Sequence, residues 1–238
     1  MERIEVRAGV FAGVGTAHRL LPIGFFAVLG GCSGPLSALA PAGPAADSIV
    51  TLFLVLLGLS ALSFIVIFGI FILAWRRDRS RKVRLRLFLI GGGLVFPLVL
   101  LTIATVYGVA LGERITGART SPSLTVEARA ERWHWQFTRQ TGRGSVTRPN
   151  VLHIPAGRTV EVIVTSSDVI HSFWVPRLAG KIDAIPGMRN RILLRADIPG
   201  RYNGVCAEFC GTGHTAMNFS VVAHDADGWA AHDKDVLP

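Results

Sequence analysis

Charge is the first thing this sequence lacks: 17% of its 238 residues are Asp, Glu, Lys or Arg, while 50% are hydrophobic. So little charge excludes an ordinary soluble domain and predicts membrane spans. Acidic residues are the scarcer sign, 16 against 25 Lys and Arg, for a net charge of +9. That excess does not make a nucleic-acid surface, because much of it sits in one place. Arg76, Arg77, Arg79, Arg81, Lys82, Arg84 and Arg86 form one cluster, offset only by Asp78, between two long apolar runs. A cytoplasmic membrane loop accounts for such a cluster, and no nucleic-acid partner is expected. Cysteine is scarce too: Cys32, Cys206 and Cys210 permit at most one disulfide. There is no internal repeat, and no residue stands out as an acid, base or nucleophile.

The two apolar runs are Ser48 to Trp75, without a charge, and Leu87 to Leu111, also uncharged. Each exceeds the roughly 20 residues a spanning helix needs. Trp75 and Tyr107 sit near the ends, where interfacial aromatics belong. Gly91-Gly92-Gly93 and Pro97 would be costly in a soluble helix and are tolerated in a membrane one. Helices over about 48–75 and 87–111 are therefore expected, joined by the loop 76–86. With the basic loop inside, the flanking segments lie outside, in the periplasm of a bacterial inner membrane.

Residues 1–31 read as a signal segment: Arg3, Arg7 and Arg19 precede an apolar stretch, Leu20 to Gly31. It ends in Leu29-Gly30-Gly31-Cys32, which resembles the lipobox of bacterial lipoproteins and marks Cys32 for lipidation. The stretch 32–47, with Pro35, Pro41 and Pro44 among Gly and Ala, reads as a linker without a core.

Residues 113–238 are expected to form one β domain. Strand patterns occupy Ser123 to Ala128, Trp133 to Thr138, Val151 to Ile154, Thr159 to Thr165, Arg191 to Ala196 and Asn218 to Ala223. Turn signals such as Pro155-Ala156-Gly157 and Pro199-Gly200 separate several of them, and the spacing predicts a sandwich or barrel. Gly142 to Pro149 reads as a loop, and no stretch here has a helical period.

The chemistry concentrates in Val205 to Met217, where Cys206, Cys210, His214 and Met217 follow at i, i+4, i+8 and i+11. Thiolate, thioether and imidazole are soft or borderline donors that suit copper, zinc or iron–sulfur. Methionine beside Cys and His points away from zinc, whose structural sites use Cys and His. A periplasmic disulfide is the ordinary fate of two cysteines, but it leaves His214 and Met217 unexplained, and copper is preferred. His171, in Asp168-Val-Ile-His-Ser-Phe-Trp-Val-Pro176, pairs with the loop as cupredoxin ligands do: one from an early strand, the others from a late loop.

With these residues assembled, the chain resembles subunit II of the haem–copper cytochrome c oxidases. Cys206-Ala-Glu-Phe-Cys210-Gly-Thr-Gly-His214-Thr-Ala-Met217 matches the ligand motif, and Lys181-Ile-Asp-Ala-Ile-Pro-Gly-Met-Arg-Asn190 and Pro199-Gly-Arg-Tyr-Asn-Gly-Val-Cys206 match its surroundings. The resemblance covers Ser48 to Ala223 and implies a two-helix transmembrane hairpin ahead of a cupredoxin-like β-sandwich carrying a dinuclear copper A site. It implies that Cys206 and Cys210 bridge two coppers, that His171 and His214 bind one each, and that Met217 and the Glu208 carbonyl are weaker ligands. It further implies that the Glu208 carboxylate helps bind magnesium or manganese at the junction with subunit I, and that Trp133 is where electrons arrive from a c-type cytochrome. Subunits I and III would be partners, with haem confined to the partner subunit. Trp135 reads as core packing, His134 and His153 as strand-surface residues, and Asp183, Arg189 and Asn190 as facing subunit I.

Two departures from that family stand out. A glutamate often found seven residues before the proline of the second helix is Ile90 here, so no proton uptake is assigned to this chain. From Glu113 onward the chain has 15 Lys or Arg against 12 Asp or Glu, where many members show an acidic face. Two alternatives share parts of the pattern: a quinol oxidase subunit II, whose branch lacks the copper ligands, and a periplasmic copper-binding electron-transfer cupredoxin, which needs no helix pair.

Overall fold

Two long helices precede a β-sandwich in the computed structural model, which describes residues 33–76, 84–116, 121–141 and 144–236. The expected signal segment 1–31, Cys32 and most of the basic loop 76–86 lie outside the described residues. Helix α1, Pro44–Arg76, has 33 residues and is about 50 Å long at 1.5 Å per residue. It begins at Pro44 rather than Ser48, because a proline in the first turn gives up an N–H that would have no helical partner. The second helix opens with a wide π-type stretch, Leu87–Val95, and continues as α2, Phe96–Thr116. Phe96 N–H donates to the Gly91 carbonyl, five residues back. The widening lies directly before Pro97, which has no N–H to donate, and runs through three glycines that tolerate the irregular winding. Both helices are long and apolar enough to cross a membrane. Phe64, Ile65, Leu73, Leu94, Leu98 and Leu101 are all exposed, so the chain itself does not bury them.

The sandwich has two five-stranded sheets, ordered β3-β2-β1-β5-β8 and β4-β10-β9-β6-β7. The strands are β1 (Leu124–Glu131), β2 (His134–Thr141), β3 (Gly144–Pro149), β4 (Val151–Pro155), β5 (Val160–Ser166), β6 (His171–Trp174), β7 (Ile182–Ala184), β8 (Asn190–Leu194), β9 (Gly200–Cys206) and β10 (Asn218–His224). The cupredoxin-like organisation expected from the sequence is thus present. Alternation fills the space between the sheets: Val160, Val162 and Val164 of β5 are fully buried, while Glu161 and Ile163 between them are not. Four aromatic rings, Trp135, Phe137, Phe173 and Phe219, stack from both sheets at centroid separations of 4.7 to 6.5 Å.

Three features differ from the sequence expectation. Gly142 to Pro149 is not simply a loop, since residues 144–149 are the edge strand β3, antiparallel to β2 with Thr138 opposite Thr147. An edge strand exposed along nearly its whole length needs no apolar alternation, so its pattern is silent. A helix, α3 (Ala226–Val236), follows β10, and Asp225 caps it by accepting the Gly228 N–H at 2.8 Å. The stretch read as a linker docks on the sandwich. Ala42 N–H donates to the Arg177 carbonyl, Asp197 N–H donates to the Ala42 carbonyl, and Arg177 Nε–H donates to the Ala40 carbonyl. Gly43 lies so close to β8 that a Cβ there would sit 2.1 Å from the Arg195 carbonyl oxygen.

Candidate metal centre

The late loop hangs between β9 and β10. Its two ends are clamped where Cys206 N–H donates to the Met217 carbonyl at 3.0 Å. Beside it runs β6, whose Phe173 is in register with Cys206, so His171 lies within reach of the first cysteine. Ala207 N–H donates to the Ser172 carbonyl and fixes the loop's departure from the sheet. Gly211 supplies the backbone reversal with φ +117°, a conformation that side chains with a Cβ resist. A single 3-10 turn, His214–Ala216, then returns His214 toward the cysteines.

The donors converge. Cys206 Sγ and Cys210 Sγ are 3.8 Å apart, far beyond the roughly 2.05 Å of a disulfide. His171 Nδ1 is 3.8 Å from Cys206 Sγ, and His214 Nδ1 is 3.7 Å from Cys210 Sγ. Met217 Sδ lies 3.8 Å from Cys210 Sγ, and the Glu208 carbonyl oxygen 3.2 Å from Cys206 Sγ. His171 and Met217 are fully buried, and both cysteines are nearly so.

Chemistry decides what this cluster accepts. Burial, and then the neighbouring Cys206 sulfur, push the Cys210 thiol up to about 11. Two adjacent buried thiols do not both ionise without a cation to share, so deprotonation here is linked to uptake of positive charge. Two thiols, two imidazoles and a thioether are a soft set that suits copper.

Asp168 escaped the sequence reading, although it stands three residues before His171. His171 Nε2 donates to Asp168 Oδ1 at 2.8 Å, which leaves Nδ1 as the nitrogen facing the sulfur. Such an outer carboxylate sets the tautomer and orientation of a ligating imidazole. Partial burial would raise the Asp168 carboxyl, but the hydrogen bonds from His171 and from the Arg132 and Val169 N–H groups hold it at about 2.

The other expected residues fall in definite places. Trp133 is 41% exposed and covers the loop, packing against Gly211 and Gly213 with Nε1–H 3.4 Å from the Cys210 carbonyl oxygen. Trp135 is buried in the aromatic core, and its ring meets His171 edge-on at 6.3 Å. Glu208 is divided: its carbonyl faces the sulfur, while its carboxylate accepts from Lys181 Nζ at 3.4 Å. Asp183 stands 3.9 Å from the same Lys181 and receives Asn190 Nδ2–H at its carbonyl. Arg189 instead pairs with Glu127. Exposed Trp133, Ile170 and Phe209 line an open depression over the loop, edged by Arg132, Asp183 and Glu208. His134 is a strand-surface residue, 3.2 Å from Gln136. His153 is not solitary, because its ring stacks with those of His224 and His232.

A family model described as cytochrome c oxidase subunit II, periplasmic domain, matches residues 139–224. A cytochrome c oxidase subunit 2 of Alkalihalophilus pseudofirmus is 33% identical over 232 residues, covering 91% of this chain and 67% of the relative. A quinol oxidase subunit 2 of Bacillus cereus is 29% identical over 236 residues, covering 92% and 80%. The periplasmic domain of cytochrome oxidase subunit II of Bradyrhizobium japonicum aligns at 26% identity and a TM-score of 0.47, covering 50% of this chain and 96% of that domain. The near-full-length match to the Alkalihalophilus protein shows that the chain belongs to the cytochrome c oxidase subunit II family.

Proposed function

We propose that this chain is the electron-accepting subunit of a bacterial terminal oxidase, anchored by its two helices in the inner membrane with the sandwich on the periplasmic side. It would take electrons from a c-type cytochrome and hand them to haem in subunit I, where oxygen reduction and proton translocation occur. Cys206 and Cys210 would bridge a dinuclear copper A pair, with His171, His214, Met217 and the Glu208 carbonyl completing the ligands. When bound, that copper pair accepts and releases one electron at a time, shared over both ions. The chain's own part is to hold six donors in place before metal arrives, to keep water from the sulfurs, and to fix the His171 ring through Asp168.

The observation that carries this reading is the convergence of four further donors on one pair of sulfurs 3.8 Å apart. It favours cytochrome c over quinol as donor, although quinol oxidase subunits are among the relatives, because quinol oxidation by a subunit of this kind needs no copper ligands. The Glu208 carboxylate, which shares Lys181 with Asp183, would contribute to a magnesium or manganese site shared with subunit I once Lys181 moves aside. Trp133, exposed above the loop and touching it, is the surface residue through which electrons would come in. Cys32, if lipidated, adds a second anchor.

Electron paramagnetic resonance of the copper-loaded chain tests the centre. A seven-line hyperfine pattern is expected from one electron on two equivalent copper nuclei, and a four-line pattern or no signal refutes it. The apolar depression and basic domain further predict a donor cytochrome that is not strongly basic. Stopped-flow reduction by a strongly basic cytochrome c that slows steeply with salt would contradict this, since that behaviour requires an acidic docking face.

A further inference from the structure

Away from the sulfur loop, three of the chain's 7 histidines meet. His153 lies on β4, His224 ends β10, and His232 lies on α3, three elements separated by up to 79 positions in sequence. Strand pairing brings the first two together: β4 runs parallel to β10 with His153 opposite Val222, so His224 projects from the same face two residues on. Helix α3 then lays His232 over both. His153 Nδ1 and His224 Nε2 are 2.8 Å apart, and the His232 ring stacks 4.2 Å from His153 and 5.1 Å from His224. One ring nitrogen from each lies within 4.8 Å of the others. A small cavity of about 30 Å³, lined in part by His153, His232 and Trp229, adjoins the group.

We propose that His153, His224 and His232 form a second metal site that takes one borderline divalent transition ion, Zn2+ or Cu2+, and ties α3 to the edge of the sandwich. Imidazole is the donor type for these ions. A tetrahedral ion about 2.0–2.1 Å from each nitrogen needs them about 3.3 Å apart, so the present spacings close by modest ring rotations. The donors are available at neutral pH. Burial first, and then His232, His224, Arg148 and Arg201, hold the His153 imidazole down at about 4, and burial also lowers His224 and His232. Neighbouring charge does not block the site. Arg139 is paired with Asp233 at 2.7 Å and lies over the Trp229 ring, and Arg201 is donated to Ser220. Arg148 faces His153 and His232, and the opposing charges at the group are Asp233, which acts on His232, and Asp225, which acts on His224. Three histidines leave a fourth position open to water or a carboxylate, as in metal sites that are not fully closed. The site is separate from the copper loop: β4 is the far edge strand, three strand spacings or about 14 Å from β6.

The test uses the tag-free full chain in detergent, with copper already loaded, dialysed against Zn2+ and analysed for bound metal. One zinc per chain beyond the copper is expected, with a rise in the thermal unfolding midpoint. His153→Gln and His232→Gln are each expected to weaken zinc binding by at least about 100-fold, since even outer partners of metal ligands cost 10–100-fold. Near-UV circular dichroism confirms the fold, and His232, on the terminal helix, is the variant least able to disturb it. No zinc beyond the copper in the unsubstituted chain, or zinc binding unchanged in both variants, overturns the proposal. The two variants separate this site from the sulfur loop, because zinc held by the loop would be unaffected by either of them.

Discussion

Gly213 offers a sharp test of how Trp133 is held against the metal loop. A Cβ added there would sit 2.3 Å from Trp133 Cδ2, 2.5 Å from Cγ and 2.7 Å from Cε3, and these are the nearest atoms. Comfortable carbon contacts need about 3.5–4.0 Å, so the indole must retreat by more than about 1 Å. Overpacking of this kind costs about 1–3 kcal/mol. The backbone adds little to that cost, because Gly213 has φ −90° and ψ 7°, a turn conformation open to residues with a Cβ. Gly213→Ala should therefore destabilise the chain only while Trp133 is present. In the Trp133→Ala background the same change should be nearly neutral, giving a coupling of about 1–2 kcal/mol in a double-mutant cycle. Gly211→Ala is the contrasting control. Its Trp133 neighbours stand at an ordinary 3.4 to 3.8 Å, but its φ of +117° penalises any side chain, so removing Trp133 should not rescue it. Thermal unfolding of the full chain in detergent reads the cycle, at about 4 °C per kcal/mol for a domain of this size. Additive costs within about 0.5 kcal/mol for Gly213→Ala and Trp133→Ala would refute the packing argument.

Asp168→Asn should leave the fold intact but loosen the His171 ring, lowering copper affinity by about 10–100-fold in competition with a chelator. Gly43→Ala, whose Cβ would strike the Arg195 carbonyl, should lift residues 40–43 off the sandwich and expose them to limited proteolysis, with little change at the metal loop. The metal-free chain should lose stability as pH falls. His153 is at about 4 when folded against 6.5 unfolded, so the unfolded chain binds more protons between those values. Its contribution is complete above about pH 6.5 and is lost on the way down to about pH 4. Urea midpoints measured across that window should fall, and His153→Gln should flatten the decline.

Much of this was legible in the sequence because the signals were chemical or long. Uncharged runs of helix length announce themselves, and Cys206, Cys210, His214 and Met217 are rare residues crowded into one loop. What stayed hidden depends on neighbours. Strand β9, Gly200–Cys206, contains two glycines and follows the Pro199-Gly200 turn signal, so the sequence predicts no strand there, yet β10 and β6 pair with it on either side. Helix α3 has no strong apolar face; Trp229 stacked under Arg139 and the Arg139–Asp233 pair hold it instead. The histidine cluster draws its members from three distant elements, so no local spacing could reveal it. Pro35, Pro41 and Pro44 suggested a linker without a core, yet backbone hydrogen bonds and the small side chains of Ala42, Ala45 and Ala46, packed or buried against the sandwich, fasten it.

That fastening has a kinetic consequence. The β domain is not a globe on a single leash: residues 40–46 grip it just before α1 begins, and α2 also touches it at β8. Two attachment points remove most of the tumbling that one flexible tether would allow. Under the proposed function, a mobile donor would then meet a surface presented at a nearly constant tilt, with fewer collisions wasted on the wrong orientation. On the inner side, the proposed membrane partner would meet the loop at one distance rather than a spread of distances. Freeing residues 40–43 would thus slow electron delivery without altering a single ligand.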